Sequence, residues 1–147
     1  MRSIGEKYGH SLQIFSIRKC GPITTTGLNC LLRRCKALTS LGLEESVHPD
    51  SACIRTAFTH CLNLRTLDIS RSELTDEVLA RIAAFPLETL DLRLSTGYTE
   101  VGIVALMNGC AALKLLLISN KLINPVVQLL WKQMRPKLHI QSTNYVG

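Results

Sequence analysis

Two aspartates, Asp68 and Asp91, are the residues of this 147-residue chain best placed for chemistry. Each directly follows a Leu-x-x-Leu motif, so we expect them side by side on neighbouring strands, as paired carboxylates stand in many hydrolases. The sequence supplies no matching histidine base, nucleophile turn, glycine-rich phosphate loop or metal-ligand set. We therefore interpret the pair as part of a solvated strand face, with Arg93 holding Asp91 in a surface ion pair worth less than about 1 kcal/mol. No enzymatic activity is predicted.

Six cysteines are the second candidates for chemistry, as zinc ligands, disulfides or buried thiols. A zinc site needs closely spaced Cys and His sets, which this sequence lacks. Cys35, Cys61 and Cys110 instead close three similar segments, as a small apolar side chain does at a repeated packing position. We therefore predict reduced, buried thiols, no metal and no cofactor. Reduced thiols and the lack of an Asn-x-Ser/Thr sequon predict an intracellular protein of the cytoplasm or nucleus, with a mitochondrial assembly as the alternative.

A segment of about 26 residues recurs along the chain and would position these side chains. Its first half reads Leu-x-x-Leu-x-Leu, in which the last two apolar residues alternate with variable ones, as in a strand with one buried face. Its second half spaces apolar residues three or four apart, as in a helix, and Thr24, Thr75 and Thr99 stand where helices should begin. The repeat predicts an α/β fold with a curved parallel sheet inside and helices outside. The expected buried column is Phe15, Leu41, Leu67, Leu90 and Leu116.

The most complete copy runs from Leu12 to Cys35 and reads Leu-x-x-Phe-x-Ile-x-x-Cys-x-x-Ile-Thr-x-x-Gly-Leu, closed by a Cys. It resembles the cysteine-containing class of leucine-rich repeat (LRR), as in F-box/LRR proteins and the antagonist-of-mitotic-exit-network family, over roughly residues 12 to 135. The resemblance implies an LRR solenoid that captures substrates for ubiquitylation, while other subunits do the catalytic and adaptor work. Nothing in these residues resembles an F-box, which favours the alternative of a structural LRR subunit in a large axonemal or mitochondrial complex.

A single array is predicted over residues 1–147. Five repeats are expected, at 12–37, 38–63, 64–86, 87–112 and 113–137. Residues 1–11 should form a partial repeat or a cap, and residues 138–147 a C-terminal cap or tail, with a last strand near 137–140. No apolar run approaches the roughly 18 residues of a membrane span, so no membrane insertion is predicted.

The formal net charge of +6 is unevenly distributed. Residues 1–36 carry seven basic and one acidic side chain, residues 37–100 five basic and ten acidic, and residues 101–147 five basic and none acidic. Positive ends around a negative middle suit a protein partner of complementary charge better than the uniform phosphate backbone of a nucleic acid. Aromatic residues make up only 5% of the chain, which is too few for base stacking. The sequence therefore predicts protein partners, with a larger assembly through the basic ends as a further mode, and no nucleic acid.

As a non-catalytic interaction module, the chain is expected to bind its partner on the concave face of the sheet. Leu115 and Leu117 have no fold-level reason to be apolar there, and exposed apolar surface usually marks a contact. Charged residues beside them would form a polar rim around an apolar anchor. The alternative is that the C-terminal strand or tail covers these leucines. The predicted protein-binding residues are Arg18, Glu44, Asp68, Asp91, Arg93, Leu115 and Leu117.

Overall fold

The computed structural model describes residues 2–20, 23–45, 51–119 and 125–143. Within them helices and strands alternate along the chain. The elements are α1 (Arg2–Tyr8), β1 (Ile14–Ser16), α2 (Thr25–Leu32), β2 (Ser40–Gly42), α3 (Ser51–His60), β3 (Thr66–Asp68), α4 (Asp76–Ile82), β4 (Thr89–Asp91), α5 (Glu100–Gly109), β5 (Leu115–Ser119), α6 (Pro125–Met134) and β6 (His139–Thr143). We call one strand with the helix that follows it a coil.

The strands form one six-stranded parallel sheet in which each strand pairs with the next along the chain. Right-handed crossovers between such strands place the connecting helices on one face of the sheet. Consecutive helices from α1 to α5 contact one another, which makes them a single layer. The protein is therefore an α/β protein with one parallel sheet, an arrangement compatible with a solenoid. We call the opposite side of the sheet the helix-free face.

The strand register aligns the predicted buried column. Leu41 pairs with Leu67, Leu67 with Leu90, and Leu90 with Leu116, and all four side chains are at most 1% exposed. Phe15 pairs with Leu41 but is only half-buried, because β1 has a neighbouring strand on one side alone. The prediction of one buried column is confirmed for the four leucines, whereas Phe15 is aligned with them but only half-buried. The 64–86 repeat is shorter than its neighbours, and its helix is correspondingly short, with seven residues in α4 against ten in α3.

The predicted helix starts are also confirmed. The hydroxyl of Thr24 accepts a hydrogen bond from the N–H of Gly27 at 3.1 Å, and Thr75 and Thr99 cap α4 and α5 in the same way. Asp76, in the first turn of α4, accepts bonds from the N–H of Thr99 at 2.8 Å, from the Thr99 hydroxyl at 2.7 Å and from the N–H of Gly102 at 3.1 Å. These bonds, the one from the Thr99 N–H first, lower the pKa of the Asp76 carboxyl. One coil thus helps to begin the helix of the next.

Both ends of the array continue its pattern. The helix expected within residues 1–11 is α1, and the last strand is β6, which begins two residues later than predicted and extends to Thr143. Residues 144–147 of the predicted cap or tail lie outside the described residues. None of the helices that the structure describes is long and apolar enough to span a membrane.

Candidate protein-binding site

A sharp corner follows each of the strands β1 to β4 and directs the side chains of the site. One residue in each corner has a positive φ: Lys19 (50°), Glu45 (50°), Arg71 (57°) and Leu94 (61°). This left-handed backbone costs a residue other than glycine roughly 1–2 kcal/mol. The N–H of Lys19 donates to the carbonyl of Glu44 at 3.1 Å, and the N–H of Arg71 to the carbonyl of Arg93 at 2.9 Å. Such bonds stack the corners in a row and bring side chains of consecutive coils together.

Glu44 lies between two arginines in this row. Its carboxylate accepts a hydrogen bond from Nε of Arg18 and lies 3.3 Å from Nε of Arg71. Glu45 lies 3.8 Å from Nε of Arg71 and 3.8 Å from Nζ of Lys19. The hydrogen bond to Glu44 raises the pKa of the Arg18 guanidinium, so Arg18 stays charged. Three consecutive coils are thereby linked through charged side chains that follow the carboxyl ends of their strands.

The paired aspartates hold these corners in place. Oδ1 of Asp68 accepts the N–H of Ser70 at 2.9 Å, and Oδ1 of Asp91 accepts the N–H of Arg93 at 3.0 Å. Asp68 and Asp91 are direct register partners on β3 and β4, so they are neighbours as predicted. Their oxygens already accept hydrogen bonds from the backbone, however, and these bonds support a structural role for both carboxylates.

Arg93 also closes over Asp91 with its side chain. Its Nε lies 3.0 Å from both carboxylate oxygens and its Nη2 lies 2.5 Å from Oδ2, a contact that raises the pKa of Arg93. The ion pair was predicted, but its description as a surface pair is wrong for Asp91, whose side chain is only 7% exposed. Removing one partner of such a pair leaves a buried charge uncompensated. Asp91 is therefore a supporting residue of the site, and Arg93 is the partner that reaches the surface.

A pocket of about 160 Å³ lies along the strand ends. This volume is close to the roughly 150 Å³ of a known protein cavity that holds one benzene molecule, so the pocket has room for one side chain of a partner. Three guanidinium groups and one carboxylate provide its charges. Its lining residues are Arg18, Glu44, Ser70, Arg71, Arg93, Leu94 and Thr143. We call Arg18, Glu44, Arg71, Asp91 and Arg93 the strand-end cluster.

Leu115 and Leu117 lie on the same side of β5 but are half-buried. Leu117 pairs with Asp91 of β4 on one side and with Gln141 of β6 on the other, and Leu115 pairs with His139. The C-terminal strand thus borders both leucines, which was the alternative to a fully exposed apolar anchor. The structure places Leu117 beside Asp91, while the lining of the pocket includes neither leucine.

Arg71 and Leu94 belong to the site but were not predicted from the sequence. Arg71 follows Glu45 by the repeat spacing, as Glu45 follows Lys19, and Leu94 occupies the same corner after the shorter repeat. The sequence signal that could have identified them is a second column of repeat-spaced residues, each one position after the column of Arg18 and Glu44. Its members are Lys19, Glu45, Arg71 and Leu94. Because exposed positions vary in residue type from coil to coil, that column shows no periodicity of hydrophobicity.

The predicted thiols lie in the core and away from this site. Cys35, Cys61 and Cys110 are at most 1% exposed and form no disulfide. Burial raises the pKa of Cys61 to about 12 and also raises those of Cys35 and Cys110, so all three stay protonated near neutral pH. Among the described residues, no group of three His, Cys, Asp or Glu side chains is arranged to hold a metal ion.

A scan of the chain against models of known protein families finds no match.

Proposed function

We propose that this chain is a non-catalytic protein-binding module of intracellular location, an LRR array that binds a partner polypeptide on its helix-free face. The repeat resemblance and the parallel sheet in chain order support an LRR solenoid. On this proposal its role resembles that of the substrate-recognition part of an F-box/LRR ubiquitin-ligase adaptor.

The observation that carries the proposal is the exposure of arginines held in place by buried carboxylates. The side chain of Arg18 is 70% exposed and that of Arg71 39%, whereas the Glu44 carboxylate between them is mostly buried. Arginine is enriched at the centres of protein interfaces because its guanidinium packs and forms several directed hydrogen bonds. An arginine already fixed by a carboxylate also loses less rotamer entropy when a partner binds.

The chemistry of the pocket favours a partner that presents an acidic side chain or backbone carbonyls. Guanidinium groups bind carboxylates most strongly when the hydrogen bonds are paired and partly shielded from water. Glu44 and the buried Asp91 keep the local charge mixed, so a uniformly anionic polymer gains less here than a single acidic side chain does. This agrees with a protein partner.

Charge reversal at Arg71 tests the proposal, with Arg81 as the matched control. Arg81 lies on α4 in the helix layer, its side chain is 44% exposed, and it forms an ion pair of 2.9 Å with Glu77. Arg71→Glu and Arg81→Glu therefore change equal charge at similar exposure. We expect Arg71→Glu to lose the proteins that co-purify quantitatively with the wild-type chain and Arg81→Glu to retain them. Because Arg71→Glu places a third carboxylate beside Glu44 and Glu45, it should melt at a lower temperature than Arg81→Glu but remain folded at the temperature of the binding assay. Equal retention or equal loss contradicts the proposal.

The second candidate function is a structural LRR subunit of a large intracellular assembly. It is favoured by the apolar outer side of α6, where Val126, Leu129 and Leu130 are exposed, because permanent subunits cover such surface. Size-exclusion chromatography of native extracts distinguishes the two functions. A structural subunit elutes entirely within a large complex of fixed stoichiometry, whereas a recognition module is also found outside it.

A further inference from the structure

The last helix, α6, carries apolar residues both on its buried side and on its exposed side. Trp131 on one side is buried in the core. On the exposed side four apolar residues are between 43% and 69% exposed, and their spacing of three or four residues places them, together with the exposed Gln133, along one stripe of the helix. They are Val126, Leu129, Leu130 and Met134, which we call the outer α6 surface. A helix with apolar residues on both sides ordinarily has both sides covered.

Two lysines lie close to this surface along the chain. Lys132 lies on α6, and Lys137 lies in the turn that follows it, both exposed. The sequence has no acidic residue from 101 to 147, so acidic side chains of the same segment do not offset these charges. A partner with a negative rim around an apolar stripe is therefore complementary to α6 in both respects.

The charge distribution also opposes a second copy of the chain that is joined through α6 or through its N-terminal end. Two copies joined through α6 bring two such basic surfaces together. A copy joined through its N-terminal end brings α6 against residues 1–36, which carry seven basic side chains and one acidic. Like charges placed across an interface oppose association.

We propose that the outer α6 surface, with Lys132 and Lys137 at its rim, docks an acidic amphipathic helix of a partner protein. Apolar residues spaced three or four apart along the partner helix pack between Leu129, Leu130 and Val126, while its acidic residues meet the lysines. This surface lies on α6, which connects β5 to β6, whereas the strand-end cluster lies at the ends of β1 to β4, so the two sites are separate. The inference does not depend on the proposed function of the strand-end cluster.

Fluorescence anisotropy with a defined peptide tests the docking. The probe is a labelled peptide of about 18 residues, long enough to form a helix, with leucines at helical spacing and glutamates elsewhere. One control peptide has the same composition in scrambled order, and another has lysine in place of glutamate. We expect the full chain to bind the acidic amphipathic peptide at least tenfold more tightly than either control, with affinity that falls as salt is added.

Leu129→Glu is the test variant, and Leu62→Glu is its matched control. Leu62 is 71% exposed and lies between α3 and β3, away from α6. We expect Leu129→Glu and Lys132→Glu each to weaken peptide binding at least tenfold with unchanged circular dichroism and melting, and Leu62→Glu to leave the affinity unaltered. Arg71→Glu should also bind the peptide normally, which separates this test from that of the strand-end cluster.

Several outcomes overturn the proposal. Failure of the wild-type chain to bind the acidic peptide at micromolar concentrations is one, and equal binding of the lysine peptide is another. Equal weakening by Leu129→Glu and Leu62→Glu shows that binding is unspecific. If sedimentation equilibrium finds a wild-type dimer that Leu129→Glu abolishes, a second copy covers α6 instead.

Discussion

The closing position of the repeat is filled by a thiol in three coils, as Cys35, Cys61 and Cys110, and by a guanidinium, that of Arg135, at the C-terminal end. The thiol of Cys61 donates to the carbonyl of Leu32 at 3.4 Å, and that of Cys110 to the carbonyl of Phe85 at 3.1 Å. Arg135 instead donates to four carbonyls, those of Met107 (2.7 Å), Cys110 (3.1 Å), Ala111 (3.0 Å) and Leu113 (3.1 Å). Both groups donate hydrogen bonds to carbonyls at the end of the preceding helix or in the segment that follows it.

The difference follows from the access of water to each position. A thiol is small and apolar enough to be enclosed by coils on both sides, and there its weak hydrogen bonds suffice. Near the C-terminal end Arg135 is only half-buried, so a charged group keeps part of its hydration while its positive charge is favourable beside the C-terminus of α5. The same repeat position therefore tolerates two chemistries because it has two environments.

The solvent-exposed sides of the helices also differ between the interior and the C-terminal end of the array. On α4 the exposed residues are Glu77, Ala80 and Arg81, which suit water. On α6 the exposed residues are mostly apolar. On α4 the larger apolar side chains are buried within the array, whereas α6 has apolar side chains beyond those that the array covers.

The largest expected effect is at the centre of the interior coils. Leu67 is 1% exposed and has a strand on each side, so Leu67→Ala should cost roughly 2 to 5 kcal/mol of unfolding free energy through lost burial and a residual cavity. Ile140→Ala in the terminal strand, where the side chain is half-buried, should cost less than half as much. Urea denaturation followed by circular dichroism measures both, and equal losses would show that the two regions are packed alike.

The buried column could be predicted from the sequence because one environment repeats. Leu41, Leu67 and Leu90 each enter the same space between sheet and helix layer, so selection by packing leaves the same residue type at a fixed spacing. The corners could not be predicted in this way. Lys19 and Arg71 are long charged residues in left-handed backbone that usually takes glycine, so neither residue type signals the conformation.

The predicted site was only partly visible in the sequence, for a related reason. The register that places Asp68 beside Asp91 follows from the repeat, but the bonds from these carboxylates to backbone N–H groups depend on the corner geometry. The half-burial of Leu115 and Leu117 depends on β6, whose extent the sequence predicts less well than its existence. Contacts between exposed side chains can be identified only once the fold is known. The pattern of buried residues, by contrast, largely predicts the fold from the sequence.

The second largest effect is expected at Arg135. Arg135→Met keeps most of the apolar stem but removes the donors to four carbonyls, and we expect a loss of about 2 to 3 kcal/mol, as for hydrogen bonds from charged groups. Cys110→Ala, at the equivalent interior position, should cost about 1 kcal/mol. Lys132→Met on the exposed side of α6 serves as the control for loss of charge. If Cys110→Ala costs as much unfolding free energy as Arg135→Met, the thiol and the guanidinium stabilise the closing position equally, and the proposed difference between the two environments is wrong.

A smaller effect should appear as a pH dependence of stability. The pKa of Cys61 is about 12 in the folded state because of burial and the neighbouring Cys35, above the roughly 8.5 of an exposed thiol. The folded state therefore holds this proton more tightly, so the contribution of Cys61 to stability is complete below about pH 8.5 and is lost as the pH rises towards 12. Unfolding free energies between pH 8 and 11 should fall more steeply in the wild type than in Cys61→Ala.

Thiol labelling checks the same burial independently. Cys20 is exposed, so a thiol reagent should modify it in the native protein, while Cys35, Cys61 and Cys110 should react only after denaturation. Peptide mapping by mass spectrometry assigns each site. Rapid labelling of Cys61 in the native protein would mean that water reaches the closing position of an interior coil, as it reaches Arg135 at the C-terminal end.

The smallest predicted effect concerns the strained corners. Lys19→Gly removes the penalty of a positive φ but adds freedom to the unfolded chain, so relative to Lys19→Ala we expect a gain of only about 0.5 to 1 kcal/mol. Both substitutions delete the weak contact of 3.8 Å between Lys19 and Glu45, and their difference therefore isolates the backbone. Urea denaturation of the two variants measures it. A gain shows that the corner of β1 is held in left-handed backbone against the preference of lysine, through its bond to the next coil; equal stability means that the corner relaxes when the side chain is shortened.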